Sequence, residues 1–239
     1  MECIVKIMNI TAYKFIVLEK ELLLDFQKIL RDKGEMCQLK GTILLSCEGI
    51  NLMVAGKCEA ISIFQMFLGN FSVFNDLFYR ESFSFIFPFK KFVVQIKEEI
   101  ITMRCSDINP EKETAPHVSP ETFHHWYQEK HDMVVLDIRN DFEVNMGTFI
   151  DAIDLNIQSF SNFPQAIDKL SKSLQEKLIV TFCTGGIRCE KAAMVMLKRG
   201  FKKVYQLDGG ILNYFEKCGG TFFKGKCFVF DDRISIEAT

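Results

Sequence analysis

Three short apolar runs constrain this chain more than anything else in it: MVVLDI (133–138), LIVTF (178–182) and KVYQL (203–207). Stretches with helical spacing, 163–174 and 190–199, lie between them, and Gly200 closes the second. Short apolar strands of this kind are buried on both faces, and strands joined through helices run parallel. This half of the chain is therefore read as an α/β unit with a central parallel sheet covered by helices. Ser119-Pro120 supplies an N-cap and a first-turn proline for a helix reaching about Lys130.

The first hundred residues follow another pattern. A β-rich segment at 4–16 precedes a helix at 19–33, with Leu22, Phe26, Ile29 and Leu30 on one face and Gly34 as its C-cap. Apolar runs at 41–46 and 50–55 flank Cys47-Glu48-Gly49, a hairpin turn. A second helix spans 59–68. Two further strands, 77–87 and 92–101, surround the turn Pro88-Phe89-Lys90-Lys91. The order is βαββαβ with one extra strand, a ferredoxin-like α+β pattern. Residues 102–117 are polar and aperiodic and read as a linker, which gives domains at 1–101 and 118–239.

Composition narrows the class of function. Lys+Arg 29 against Asp+Glu 31 leaves a net charge of −2, which argues against a non-specific nucleic-acid binder and leaves room only for a local basic surface. Phenylalanine is abundant, 24 residues, and most are expected in the core. The N-terminus lacks the apolar stretch of a secretory signal, and no window is apolar for the roughly 20 residues of a membrane span. The nine cysteines (Cys3, Cys37, Cys47, Cys58, Cys105, Cys183, Cys189, Cys218, Cys227) are irregularly spaced with no Cys-x-x-Cys pair. A cytoplasmic protein with reduced thiols and no zinc site is expected. His117, His124, His125 and His131 gather around one helix, and a solvated surface is preferred there to a metal site.

One cysteine stands apart. Cys183-Thr184-Gly185-Gly186-Ile187-Arg188-Cys189 connects the 178–182 strand to the 190–199 helix. In open α/β sheets ligands bind beyond the carboxyl ends of strands. A glycine pair lets the backbone curl so that N–H groups converge on an anion, the helix start adds more of them, and Arg188 adds a full charge. A thiol at the mouth of such a cradle has a lowered pKa and is a good nucleophile. Cys183 is the candidate nucleophile, with Thr184, Gly185, Gly186, Ile187 and Arg188 as its loop. The alternative is an ordinary buried cysteine before a Gly-Gly turn. Cys189 is either a resolving thiol for an oxidised Cys183 or a small helix-entry residue.

Residues 133–147 (MVVLDIRNDFEVNMG), 179–188 (IVTFCTGGIR) and 205–211 (YQLDGGI) resemble a rhodanese domain. The resemblance implies a persulfide-bearing Cys183 stabilised by loop amides. It implies that Asp137 and Arg139, at the family's Asp-x-Arg, help hold the loop and its edge, and that Asp208-Gly209-Gly210 is the late glycine turn. Gly147-Thr148-Phe149 stands where many rhodaneses have Gly-His-Ile, so no histidine chemistry is expected there. Rhodanese-like phosphatases need five residues between Cys and Arg. Here Thr184 to Ile187 make four, a ring that suits a sulfur or oxygen atom better than a phosphoryl group.

Over nearly the whole chain, LKGTILLSCEGINLMVAG (39–56), LDIRNDFEVNMGTF (136–149), FCTGGIRCEKA (182–192), VYQLDGGILNYFE (204–216) and CFVFDDR (227–233) are similar to the bacterial tRNA uridine hydroxylases of the rhodanese superfamily. That resemblance implies oxygen-dependent conversion of the wobble uridine, position 34 of certain tRNAs, to 5-hydroxyuridine, with Cys183 essential. It implies tRNA, through its anticodon region, as partner and molecular oxygen as co-substrate. No cofactor and no electron donor is evident from the residues. Longer members carry a Cys-rich tail after Phe-Asp-x-Arg, and no role for one is carried over to this chain. Arg80, Lys90, Lys91, Lys97 and Arg104, with Phe87 and Phe89 nearby, are candidate RNA contacts, against the alternative of a solvated turn over a Phe-rich core. A base pocket is expected over the 183–188 loop, lined from both domains. Two other functions share the loop: a sulfurtransferase carrying a cysteine persulfide, and a non-catalytic RNA- or protein-binding module. The 39–56 and 227–233 blocks speak against the first, and the intact Cys183 against the second.

Overall fold

The computed structural model describes residues 6–238; Cys3 and the start of the 4–16 segment lie outside them. The chain divides into two compact units, residues 1–101 and 102–239.

In the first unit, β1 (Ile7–Phe15), α1 (Leu23–Met36), β2 (Lys40–Ser46), β3 (Gly49–Lys57), α2 (Cys58–Gly69), β4 (Arg80–Ser84) and β5 (Phe92–Ile96) follow in order. The sheet runs β4-β1-β3-β2-β5. Its first four strands have the ferredoxin-like order, and β5 is the extra strand, parallel to β2. Leu23 and Leu30 of α1 and Ile61, Phe64 and Leu68 of α2 pack against Ile10, Ile43, Leu52, Val54 and Val94 of the sheet.

Two expectations are corrected here. Gly34 does not cap α1 but lies inside it, because the Phe92 ring occupies the place a Cβ would take, 2.2 Å away. The chain leaves the helix at Gln38, with φ +54°. The strands expected at 77–87 and 92–101 around a turn are shorter, and they do not pair with each other. β4 pairs antiparallel with β1 at one edge, whereas β5 joins β2 at the other, so Pro88 to Lys91 belong to an edge-to-edge connection.

The second unit contains β6 (His117–Val118), α3 (Pro120–Gln128), β7 (Met133–Asp137), α4 (Asp141–Val144), β8 (Gly147–Phe149), β9 (Ile153–Asp154), α5 (Phe163–Ile167), β10 (Leu178–Phe182), α6 (Ile187–Lys198), β11 (Lys203–Leu207), α7 (Gly210–Cys218), β12 (Phe223–Gly225), β13 (Cys227–Phe228) and β14 (Ser235–Ile236). Its main sheet, β6-β11-β10-β7-β9, is parallel throughout. Val135, Val180, Phe182 and Leu207 pack with Phe123 of α3 and Ile211, Tyr214 and Phe215 of α7, and α6 lies against β10 and β11.

The Ser119 hydroxyl accepts from Thr122 N–H (3.1 Å) and caps α3. The helix expected over 163–174 breaks instead into α5 and a 3₁₀ turn at Lys172–Glu176. Ser171 causes the break, since its hydroxyl accepts from Ser173 N–H (3.3 Å) and offers the backbone a local alternative to the helix. Residues 102–117, read as a linker, are tied down at their end: the buried Gln206 Nε2 donates to Thr114 Oγ1 (2.8 Å) and Ala115 O (2.9 Å). Among the described residues no helix is long and apolar enough to cross a membrane.

Candidate active site

Cys183 is the first residue beyond the carboxyl end of β10, the central strand, and α6 begins at Ile187. The thiol is 1% exposed, and Gly186 N–H donates to its sulfur at 3.2 Å. Burial raises its pKa. The Cys189 thiol, the charge of Arg188 and the backbone N–H groups of Arg188 and Gly186 outweigh burial and bring it from 9.0 to about 6. Cys189, fully buried, moves the other way: burial and the neighbouring Cys183 raise it well above 9.0. The two thiols thus shift in opposite directions, Cys183 toward the thiolate and Cys189 toward the protonated donor that faces it.

The two glycines of the loop have different jobs. Gly186 has φ +98°, which a side chain rarely adopts. Gly185 has nothing within 4 Å of the place a Cβ would take, so the loop is open to space on that side. Behind the loop, Gly210 approaches so closely that a Cβ would sit 2.3 Å from Cys183 O. Ile211 N–H and Leu212 N–H, at the start of α7, donate to Cys183 O (3.0 Å) and Thr184 O (3.1 Å). Orphan donors of one helix thus hold the loop that opens another.

Arg188 is not a bare cation. Its Nη1 and Nη2 donate to Glu143 Oε2 (2.6 Å) and Oε1 (2.8 Å), and Nη2 also reaches Thr184 Oγ1 (3.3 Å). Burial raises the Glu143 pKa, but Arg188 outweighs it and holds the carboxyl below its ordinary value. Glu143 also accepts from Asn140 N–H (3.1 Å) at the start of α4. Sequence reasoning missed this residue. Its only local signal is the Asn-x-x-Glu spacing of a capping box, which points to a helix start and not to Arg188.

Asp137 and Arg139 form a fully buried pair, with Arg139 Nε to Asp137 Oδ1 at 2.9 Å and Nη2 to Oδ2 at 2.6 Å. Nη2 also donates to Gly147 O (2.6 Å), and Thr148 Oγ1 donates to Asp137 Oδ2 (2.7 Å). Thr148, at the place of the family's histidine, thus braces the carboxylate. The pair reaches the loop through Phe182, whose ring lies 5.8 Å from the Arg139 guanidinium. Cys227 is buried, and burial pushes its thiol up to about 12.

The other candidates are dispersed. His124 Nδ1 contacts Tyr214 OH (2.9 Å), His125 faces Glu129 (3.2 Å), His131 stacks on Trp126, and His117 lies between Glu190 (3.7 Å) and Asp208 (3.8 Å). Arg80 is on β4, whereas Lys90 and Lys91 precede β5 at the opposite edge of that sheet and Lys97 follows it; Arg104 belongs to the second unit. These five do not form one patch within the first unit. Lys91 instead lines a groove of about 930 Å³ with Lys33, Lys40 and Lys57, together with Phe87, Glu35 and Glu59.

A family model described as the UPF0176 acylphosphatase-like domain matches residues 7–100, and the rhodanese-like domain matches residues 119–217. The chain is 46% identical over 237 residues to a protein of Cupriavidus taiwanensis named tRNA uridine(34) hydroxylase, covering 97% of this chain and 83% of that one. Proteins of the same name from Bordetella parapertussis (44%, 97% of this chain and 96% of that one) and Delftia acidovorans (45%, 97% and 89%) are similar.

Proposed function

Since the chain belongs to the tRNA uridine(34) hydroxylase family, we propose that it is the enzyme that hydroxylates the wobble uridine of tRNA, with Cys183 as its reacting centre. The observation that carries this reading is the span of the likeness, 97% of the chain and both of its units. A plain sulfurtransferase would share the loop but not the first unit. Molecular oxygen is the co-substrate in this reading. One oxygen atom goes to C5 of the uracil and the other leaves as water, with two electrons and two protons from an external donor.

Each part of the site has a task. The N–H groups of Gly186 and Arg188 stabilise the sulfur anion. Glu143 fixes the Arg188 guanidinium and keeps the loop closed on Thr184. Asp137, Arg139 and Thr148 hold the strand ends beneath it. The partner is the anticodon region of tRNA, which places the enzyme in the cytoplasm. The groove with Lys33, Lys40, Lys57 and Lys91 offers its phosphates four cations against two carboxylates.

Nucleoside mass spectrometry of tRNA from a deletion strain tests the reading. The wild-type gene should restore 5-hydroxyuridine and its derivatives, and Cys183→Ala should not. Restoration by Cys183→Ala would remove Cys183 from the reaction. Unchanged 5-hydroxyuridine in the deletion itself, with no redundant pathway, would sink the assignment.

A further inference from the structure

The segment Cys227-Phe228-Val229-Phe230-Asp231-Asp232-Arg233 has no part in the thiol chemistry. It folds back on itself: Val229 N–H donates to Ile234 O (2.9 Å), Ile234 N–H to Asp231 O (2.9 Å), and Arg233 Nε to Asp231 Oδ1 (2.9 Å). The turn carries Phe230 to the active-site loop, with its ring centroid 5.8 Å from the Arg188 guanidinium carbon. Phe230 meets Phe228 edge-on (5.0 Å, 85°), and Phe228 meets Phe142 in the same way (5.1 Å, 84°). Phe142 immediately precedes Glu143, the partner of Arg188. Three rings, brought in by two distant segments, thus border the Arg188–Glu143 pair.

Two of these rings are left in water. Phe142 is 43% exposed and Phe230 48%, whereas Phe123, Phe149, Phe163 and Phe182 of the same unit are buried. An edge-on pair covers a face of only one of its two rings, and with Arg188 over one side of Phe230 the exposure of Phe230 and Phe142 still leaves ring surface in water for stacking. The local charge selects the ligand. Arg188 is neutralised by Glu143, and the exposed Asp232 stands two residues beyond Phe230, so this rim repels a phosphate and suits a neutral, flat group.

We propose that Phe230, assisted by Phe142, is the stacking platform that receives the unpaired uracil of the substrate beside the Cys183 loop. The inference rests on the tRNA uridine reading and adds to it the residues that hold the base. Stacking on an aromatic ring is tolerant of which base is bound, so the platform positions and the loop reacts.

The test is equilibrium binding of the full chain to two labelled anticodon stem-loop RNAs, one with uridine at position 34 and one abasic there. The wild type should prefer the uridine loop by about tenfold or more. Phe230→Leu should bind both loops alike, at the wild-type affinity for the abasic one, while Phe230→Tyr keeps the preference. Thiolate absorbance at 240 nm should be unchanged in both variants. A Phe230→Leu protein with the full preference would overturn the platform and leave the hydroxylase reading standing. Loss of the thiolate signal along with binding would make Phe230 a support of the loop and also overturn it. A wild type without any preference would refute the platform too, and the fate of the function would then be decided separately by the Cys183→Ala nucleoside measurement.

Discussion

Replacing Cys183 by serine should change the pH dependence of stability, and the size of the change follows from the site. The thiol ordinarily titrates near 9.0 and in the folded protein near 6. A group whose folded pKa is lowered stabilises fully above its unfolded value, and loses that contribution as the pH falls through its folded value. At pH 5 both states are protonated and Cys183 adds nothing. Linkage between the two values gives about 1 kcal/mol at pH 7 and about 3 kcal/mol at pH 8. Serine does not titrate in this range, so its variant lacks the increment.

Any loss of packing adds an offset that does not vary with pH, so only the change across pH is diagnostic. Cys189, pushed above 9.0, stays protonated in this window. The single tryptophan, Trp126, lies on α3 in the second unit, so its fluorescence reports unfolding where the site is. Urea titrations at pH 5, 7 and 8 should show the wild-type advantage over Cys183→Ser growing at each step. A difference that stays flat from pH 5 to 8 would refute the thiolate argument, as would a 240 nm absorbance step centred near 9 in the wild type minus Cys183→Ser difference, which removes the other eight thiols.

Glu143→Gln leaves Arg188 buried without its counter-charge and should lower stability by about 3–5 kcal/mol in urea unfolding, far more than an exposed pair would. The glycines should separate: Gly210→Ala costs about 2 kcal/mol or more, from its positive φ and the Cys183 carbonyl in its way. Gly185→Ala should leave stability within about 0.5 kcal/mol, yet lower turnover because its methyl enters the open space over the loop. Changing Lys40, Lys57 and Lys91 together to Gln should weaken tRNA binding at low salt and flatten the plot of log affinity against log salt by about 0.7–0.9 for each phosphate that is no longer neutralised; an unchanged slope would remove the groove from the interface.

What was legible in the sequence is what is local. The parallel sheet of the second unit follows from apolar runs whose burial needs no knowledge of their partners. The Cys183 loop is legible because nucleophile, glycines, arginine and helix start lie within a few residues of one another. The errors share a cause. Gly34 carries the local signal of a helix end, but its role is to admit the Phe92 ring from a strand far along the chain. The 77–87 and 92–101 strands flank a proline turn, and nothing in their pattern says that they dock on opposite edges. Glu143 looks like a first-turn acid because its tie to Arg188 spans 45 positions. The lysines of the groove come from α1, β2, β3 and the approach to β5, so no window of sequence contains them together.

Loop length was the first argument against phosphoryl chemistry, and the Arg188–Glu143 pair is a second, independent one. Arg–phosphate pairs are frequently bidentate, which favours a guanidinium free to meet two oxygens at once. Both terminal nitrogens of Arg188 are bound to Glu143, each within 2.8 Å. What remains for an anion is the Gly186 N–H at 3.2 Å from the Cys183 sulfur, the Arg188 backbone N–H, the Cys189 thiol and whatever N–H of the guanidinium Glu143 leaves, all of them turned to the sulfur. That is enough to hold one negative charge on sulfur, and it leaves little with which to bind a second. A group approaching this loop should therefore be neutral at its reacting end, as an uncharged uracil is at neutral pH. The same division accounts for a net charge of −2 in a protein with a polyanionic partner. The reacting loop does not need to attract phosphates, so the cations that meet them can lie elsewhere, and the four lysines of the first unit's groove have no ion pair among the described residues.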